Sequence, residues 1–382
     1  MKHGDMNWKK PSAVWYLALL IGLALLAGTA AADSSLPTYT KLEKISDDGF
    51  GDPQNNYAWS VAEFNGDLYV GTGRNIPYFV AQAMKARGVF PENWTLSFLT
   101  TPGGSPPPPL VLPNHTPPTL EEVIAWSEDM RAEIWRYHEG AWTQVHQAST
   151  FVNPQNGYTY PEGIGYRAMT TFTNTEGQDA LYAGVGFGFG PILVVTSTDG
   201  NTWVPVNTAS IPSRDTRAMI SHNGKLYVGT GDGIYASSSP SPYEDTWEKV
   251  ADFEIASLAS HNGYLYAGTG NPIGPSQTNG FEVWRSTVES PTGPSDWTCV
   301  VSGGAGDAWN VLAATIREYD GDLYVGSMNL PFGTGTDGVK GFDLVRVDDS
   351  DSWDLIVGNY QPKIPTDPRG PPLSGWPSGY TN

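Results

Sequence analysis

The sequence predicts an all-β fold, a β-propeller of four-stranded antiparallel blades. Three observations carry that expectation: a motif with a leucine-tyrosine pair recurs along the chain, alternating apolar runs flank each copy, and a tryptophan opens the last run of each repeat.

The recurring motif reads NGDLYVGTG, NGKLYVGTG, NGYLYAGTG and DGDLYVGS, with a weaker copy GQDALYAG. Its pairs are Leu68-Tyr69, Leu181-Tyr182, Leu226-Tyr227, Leu265-Tyr266 and Leu323-Tyr324, and the last four stand 45, 39 and 58 residues apart. That spacing brackets the period of roughly 40–50 residues of a four-stranded propeller blade. Before each motif lies a small, apolar strand, such as 60–64 or 217–221, and the Asn-Gly or Asp-Gly between them supplies the positive φ of a tight hairpin. A third alternating run follows at 133–136, 192–195, 282–285 and 342–346. A fourth opens at Trp142, Trp203, Trp247, Trp297 and Trp353. Period-2 alternation, β-branched and aromatic content, and turn residues at the junctions predict five units at 56–146, 165–207, 215–251, 254–302 and 309–358.

The segment Ser197-Thr198-Asp199-Gly200-Asn201-Thr202-Trp203 resembles the Asp-box (BNR-like) turn of sialidases and related secreted propellers, one residue shorter and with Asn201 at a usual glycine. The resemblance implies that Asp199 caps backbone amides and Trp203 packs between sheets, on the face away from a ligand. It is architectural and names no substrate. A sialidase site would further require three arginines, a tyrosine nucleophile with its glutamate and an aspartate acid. Arg74-Asn75-Ile76-Pro77 only faintly resembles that family's Arg-Ile-Pro motif, and the rest of the set does not assemble.

In a propeller the second-to-third-strand and inter-blade connections share one face, where the long loops of this chain fall; loops on a rigid scaffold carry binding. The largest spans 74–131, with helix-like stretches at 76–87 and 119–130 around a Pro- and Gly-rich centre, and is expected to form a partly helical insertion over the first blade. It holds glycosylation acceptors at Asn93 and at Asn114, the latter weakened by Pro117. The inter-blade loops 49–55, 153–158 and 303–310 repeat glycine, asparagine and aspartate. These fit self-capping turns. The alternative is that Asp52, Asn55, Asp307 and Asn310 turn oxygens toward a cation such as Ca2+, or toward a sugar. Aligning the first strands on their turns places Trp59 level with Arg217, Arg167 matches Arg217 through a shared Arg-Ala-Met, and Ala256 and Ala314 stand at the aligned positions of the other units. Trp59, Tyr166, Arg167, Arg217 and Trp309 are thus expected to ring the mouth, the arginines either clamping a ligand carboxylate or pairing with acids such as Glu162 or Asp215.

The chain opens with Lys2, Lys9 and Lys10, an apolar run to Leu26 and small residues to Ala32, the order of a secretory signal peptide over 1–32; an uncleaved anchor is the other reading. A secreted or cell-surface location follows. Net charge is −19, with 40 acidic against 21 basic residues, which argues against nucleic acid and anionic membrane as partners. One cysteine, Cys299, rules out an internal disulfide and is read as a buried strand thiol. No phosphate loop, HExxH helix, nucleophile elbow or other cofactor fingerprint occurs. The sequence therefore favours an extracellular binding or scaffold protein for a glycan or protein, with a glycoside hydrolase as the alternative. The strand-like run 38–45 resembles a fourth strand, and the tail 373–382 resembles the loop that opens the first unit, so the ring is expected to close through a further blade.

Overall fold

Alternation of β-branched and aromatic residues with polar ones leaves these segments one way to bury their apolar sides, in sheets packed face to face. The computed structural model describes residues 44–76, 130–154, 157–174, 177–270, 280–308, 310–329 and 342–358. The chain divides into two units, Met1–Asp47 and Asp48–Asn382, and every strand described lies in the second. The leader, most of 38–45, insertion residues 77–129, Trp309 and the tail lie outside the described residues.

Five groups of four consecutive strands form antiparallel meanders. Sheet one holds β1 (Asn55–Phe64), β2 (Asp67–Arg74), β3 (Glu133–His138) and β4 (Ala141–Gln147). A hairpin of β5 (Thr150–Val152) and β6 (Thr159–Pro161) leads to sheet two, with β7 (Gly163–Thr173), β8 (Asp179–Gly188), β9 (Val194–Ser197) and β10 (Val204–Pro205). Residues 153–158, expected as an inter-blade turn like 49–55, instead close this hairpin, with Asn153 and Tyr158 paired through their backbones. Sheet three is β11 (Thr216–His222), β12 (Lys225–Thr230), β13 (Ile234–Ser237) and β14 (Glu248–Ala251). Sheet four is β15 (Ile255–His261), β16 (Tyr264–Thr269), β17 (Val283–Ser286) and β18 (Trp297–Val301). Sheet five is β19 (Asn310–Tyr319), β20 (Asp322–Asn329), β21 (Leu344–Val347) and β22 (Trp353–Val357). No described helix is long and apolar enough to cross a membrane.

The core is a series of layers between successive sheets. Tyr69, Ile134, Leu181 and Val195 pack between sheets one and two; Tyr182, Leu193, Leu226 and Trp247 between two and three. Tyr227, Val250, Leu265 and Trp297 fill the third layer, and Tyr266, Val301, Leu323 and Val345 the fourth. The first strands pack against one another in the order β1, β7, β11, β15, β19. The glycine that follows each Leu-Tyr pair by two residues makes this approach possible. A Cβ on Gly71 would collide with Tyr166, on Gly184 with Thr216, on Gly229 with Ile255 and on Gly268 with Ala313, each on the first strand of the next sheet.

The Asp-box-like turn between β9 and β10 is built on Asp199, whose Oδ1 accepts from the Asn201 and Thr202 amides, each at 2.7 Å. These bonds, the Thr202 amide first, hold its carboxyl well below the usual carboxylate range. Trp203 lies against the layer between sheets one and two. Cys299 is in a strand but exposed, because β18 is an edge strand and Cys299 faces outward. Partial burial, then the Glu282 charge, still push its thiol up to about 11.

The glycine constraint separates two otherwise equivalent positions. Gly229→Ala, facing Ile255 of the next sheet, should lower unfolding free energy by about 1–3 kcal/mol through overpacking. Among the described residues Gly326→Ala meets only Thr315 of its own sheet, and it should lower that energy by less than about 1 kcal/mol. Urea denaturation of both variants measures the contrast, and equal losses would refute it.

Candidate functional site

Each first strand carries a β-bulge at the same level. The register slips between Ala58 and Ser60, Tyr166 and Ala168, Thr216 and Ala218, Ile255 and Ser257, and Ala313 and Thr315. The residues skipped are Trp59, Arg167, Arg217, Ala256 and Ala314, the five positions that the alignment of the first strands placed together. A bulge leaves one residue unpaired and re-aims its side chain, which is why bulges gather beside functional sites.

Three of these side chains form one cluster. The Arg167 guanidinium lies over the Trp59 ring, 5.3 Å from its centroid. Arg167 Nη1 is 3.6 Å from Asp215 Oδ2, and Arg217 Nε donates to the same oxygen at 3.1 Å. Arg217 Nη1 is 2.8 Å from Glu254 Oε1 and also donates to the Gly270 carbonyl at 3.4 Å. Asp215 Oδ1 accepts from the Phe187 amide at 2.9 Å. Burial pulls the Arg167 guanidinium below its usual pKa, and Asp215 opposes that shift. Side-chain exposures of 15–26 % across the four charged groups keep an edge of the cluster open to solvent. The acid pairing foreseen for the arginines is therefore present through Asp215 and Glu254. Glu162 instead accepts from the Ile192 amide at 3.2 Å.

Trp59 covers a seam. Gly73 of β2 pairs with Gly165 of β7, so sheets one and two run together as one eight-stranded sheet, and a Cβ on either glycine would strike the indole. Phe187 closes one side at 5.7 Å between centroids.

Tyr166 does not join the mouth. It is one residue before the bulge, 1 % exposed, and its side chain turns into the layer between sheets one and two. Alternation along a strand sends it away from Arg167. There its hydroxyl stands 2.8 Å from His146 Nε2. Trp309 lies outside the described residues.

The positions read as self-capping turns, with cation binding as the alternative, form two turns of one geometry. Gly49-Phe50 and Gly304-Ala305 adopt left-handed conformations, with φ of 61°, 58°, 62° and 54°. In each turn the asparagine amide donates back to the first glycine carbonyl, Asn55 at 3.1 Å and Asn310 at 2.9 Å. The same amides donate to the acid that opens the third strand, Asn55 to Glu133 at 2.8 Å and Asn310 to Asp343 at 2.7 Å. Their Oδ1 atoms accept from Arg74 and Ser327, at 3.0 and 2.9 Å. Asp52 caps the Gln54 amide and pairs with Arg74 at 2.9 Å, while Asp307 joins its turn through its backbone. No group of three or more His, Cys, Asp or Glu side chains able to hold a metal occurs among the described residues. Arg74 and Glu133 were not singled out as a pair; the buried acid at the head of Glu133-Ile134-Trp135-Arg136 was the available signal.

No protein-family model matches the chain, and no curated protein does. Among solved structures it is similar to the extracellular domain of a one-component system from B. thetaiotaomicron, at 11 % identity over 83 % of this chain and 29 % of that one, TM-score 0.41. It is similar to an α-L-arabinofuranosidase from Clostridium thermocellum, at 15 % identity over 78 % and 92 % of the two chains, TM-score 0.34. A Trypanosoma rangeli sialidase solved with sialic acid shares 12 % identity over 76 % and 44 %, TM-score 0.33. The chain spans less than a third of the first of these, and likeness of this extent carries no activity across.

Beneath the bulges, burial holds His146 down at about 4, against 6.5 when free, so its ring stays neutral in the folded state where the unfolded chain already binds a proton. Its stabilising neutrality is complete above pH 6.5 and is lost as pH falls toward 4. Unfolding free energy should therefore drop across that window with a contribution from this group of up to about 1.4 kcal/mol per pH unit. His146→Gln should flatten the drop in denaturation curves recorded from pH 7 to 4.5; a slope unchanged by the substitution would exclude His146 as its source.

Proposed function

We propose that the five sheets are blades of a propeller and that the chain is a secreted or cell-surface glycan-binding protein, its ligand site formed by the bulged side chains Trp59, Arg167 and Arg217 with Asp215 and Glu254. The observation that carries this reading is the sharing of Asp215 Oδ2 by both arginines. That carboxylate occupies the place that a ligand carboxylate would take between the two guanidinium groups. The four charged groups balance, and they leave fixed donors and acceptors beside an aromatic ring. Sugar hydroxyls, which donate and accept in adjacent pairs, match such planar guanidinium and carboxylate groups, with the ring supplying an apolar face. A neutral glycan fits this arrangement better than an acidic one.

A glycan array probed with the full chain, with and without calcium, tests the reading. Neutral glycans should be retained in both conditions, and Arg217→Ala should weaken retention at least tenfold, a loss of about 1.4 kcal/mol or more. Retention that requires calcium would move the site to the Asp52 and Asp307 turns. Acidic glycans alone, or none, would overturn the proposal, and release of chromophore from nitrophenyl glycosides would replace binding with hydrolysis.

A further inference from the structure

Two of the inter-sheet layers join through a matched pair of halves. One half is a tyrosine-arginine pair across the second and third strands: Tyr69 opposite Arg136 in sheet one, Tyr266 opposite Arg285 in sheet four. The other half is the turn between the third and fourth strands of the next sheet. Arg136 Nη1 donates to Asn201 Oδ1 at 2.9 Å, and the Tyr69 hydroxyl fills the space where Gly200 has no side chain. Arg285 Nη1 lies 2.7 Å from Asp351 Oδ2, and the Tyr266 hydroxyl donates to Oδ1 of the same carboxylate at 3.0 Å.

Sheet five repeats the first half without a described turn upon it. Tyr324 stands opposite Arg346, as in sheets one and four, but is partly exposed where Tyr69 and Tyr266 are 1 % and 2 % exposed. Arg346 pairs with acids of its own sheet, Asp354 at 2.8 Å and Asp322 at 3.7 Å. Gly326, equivalent to the glycines that admit the next sheet, meets only Thr315 of its own sheet among the described residues. Ile356 of the edge strand is 47 % exposed.

Sheet one carries the second half. Its turn holds Glu139 and Gly140 in left-handed conformations, with the Glu139 side chain 85 % exposed and open space where a Cβ of Gly140 would stand. Beside the turn, Phe50 stacks on Trp135 at 4.9 Å and meets Trp142 at 4.8 Å. The corresponding rings of sheet four, Phe253 with Trp284 and Trp297, are packed into the layer against sheet three. Among the described residues β19 packs on β15 and to no comparable extent on β1, and the two halves make no described contact within one molecule.

We propose that these halves join between two copies of the chain. The Tyr324–Arg346 face of one copy receives the Glu139-Gly140 turn and its flanking aromatic rings from the other, and the carboxylate of Glu139 takes the place that Asp351 holds against Arg285. The contact uses different surfaces on the two partners, so it is heterologous and extends head to tail.

Sedimentation velocity of the full chain over a wide concentration range should show dimers or longer species growing with concentration. Arg346→Glu and Glu139→Arg should each be monomeric alone, with circular dichroism spectra and melting temperatures near those of the parent, and an equal mixture of the two should associate again in alternating order, because every junction between unlike copies then pairs opposite charges. In a Cys299→Ser background, Glu139→Cys with Arg346→Cys should give disulfide-linked dimers under oxidation. A parent that stays monomeric at every concentration, association indifferent to both charge reversals, or a disulfide formed within single chains would overturn the proposal.

Discussion

The close approach of each second strand to the first strand of the next sheet is the constraint on which the molecule depends. It requires a residue without a side chain at Gly71, Gly184, Gly229 and Gly268, and it brings the flanking leucine and tyrosine into the layer between sheets. Once the backbones meet this closely, both faces of an interior sheet are apolar. The usual distinction between a buried and a solvated side of an antiparallel sheet disappears there. Stability then accumulates layer by layer, with each sheet held chiefly by its two neighbours, as in other repeat folds.

Polar chemistry is pushed to the ends of the strands. At one end the third-to-fourth-strand turns are stapled by Asp199 and Asp348 to backbone amides. At the other the Asn55 and Asn310 turns tie the incoming loop to the acid that begins the third strand. The bulges lie between this second set and the layers. They supply the position at which a side chain can leave the packing without breaking the sheet, and two sheets place arginine there while two place alanine.

The repeat was legible because glycine, tyrosine and tryptophan recur for steric reasons that act at fixed positions. Aligning hairpin turns brought Trp59 level with Arg217, since the distance from turn to bulge is the same in sheets one and three, and the shared Arg-Ala-Met added Arg167, whose strand runs one residue further to its turn. Tyr166 was grouped with Arg167 because both open the same first strand, yet adjacent residues of a strand face opposite sides, and the bulge that frees Arg167 left no mark in the residues. The Asn55 and Asn310 turns show a different obstacle. Their aspartates and asparagines fit self-capping turns, with cation ligands as the alternative, but the left-handed pair before them and the distant partners Glu133 and Asp343 were not legible in the residues. Cys299 was misread for want of knowing that β18 is an edge.

The glycine pair Gly73 and Gly165 joins the first two sheets through their main chains. A backbone pair crosses this boundary beneath the Trp59 indole, and main-chain contacts cross later boundaries as well, with Gly188 donating to the Arg214 carbonyl at 2.8 Å and Gly270 bridged to Leu312. Shear between sheets one and two would have to break main-chain pairing as well as unpack the ring. The first two sheets therefore behave as one mechanical element, eight strands wide, and the backbone contacts from Gly188 to Arg214 and from Gly270 to Leu312 oppose the same sliding at the second and fourth junctions.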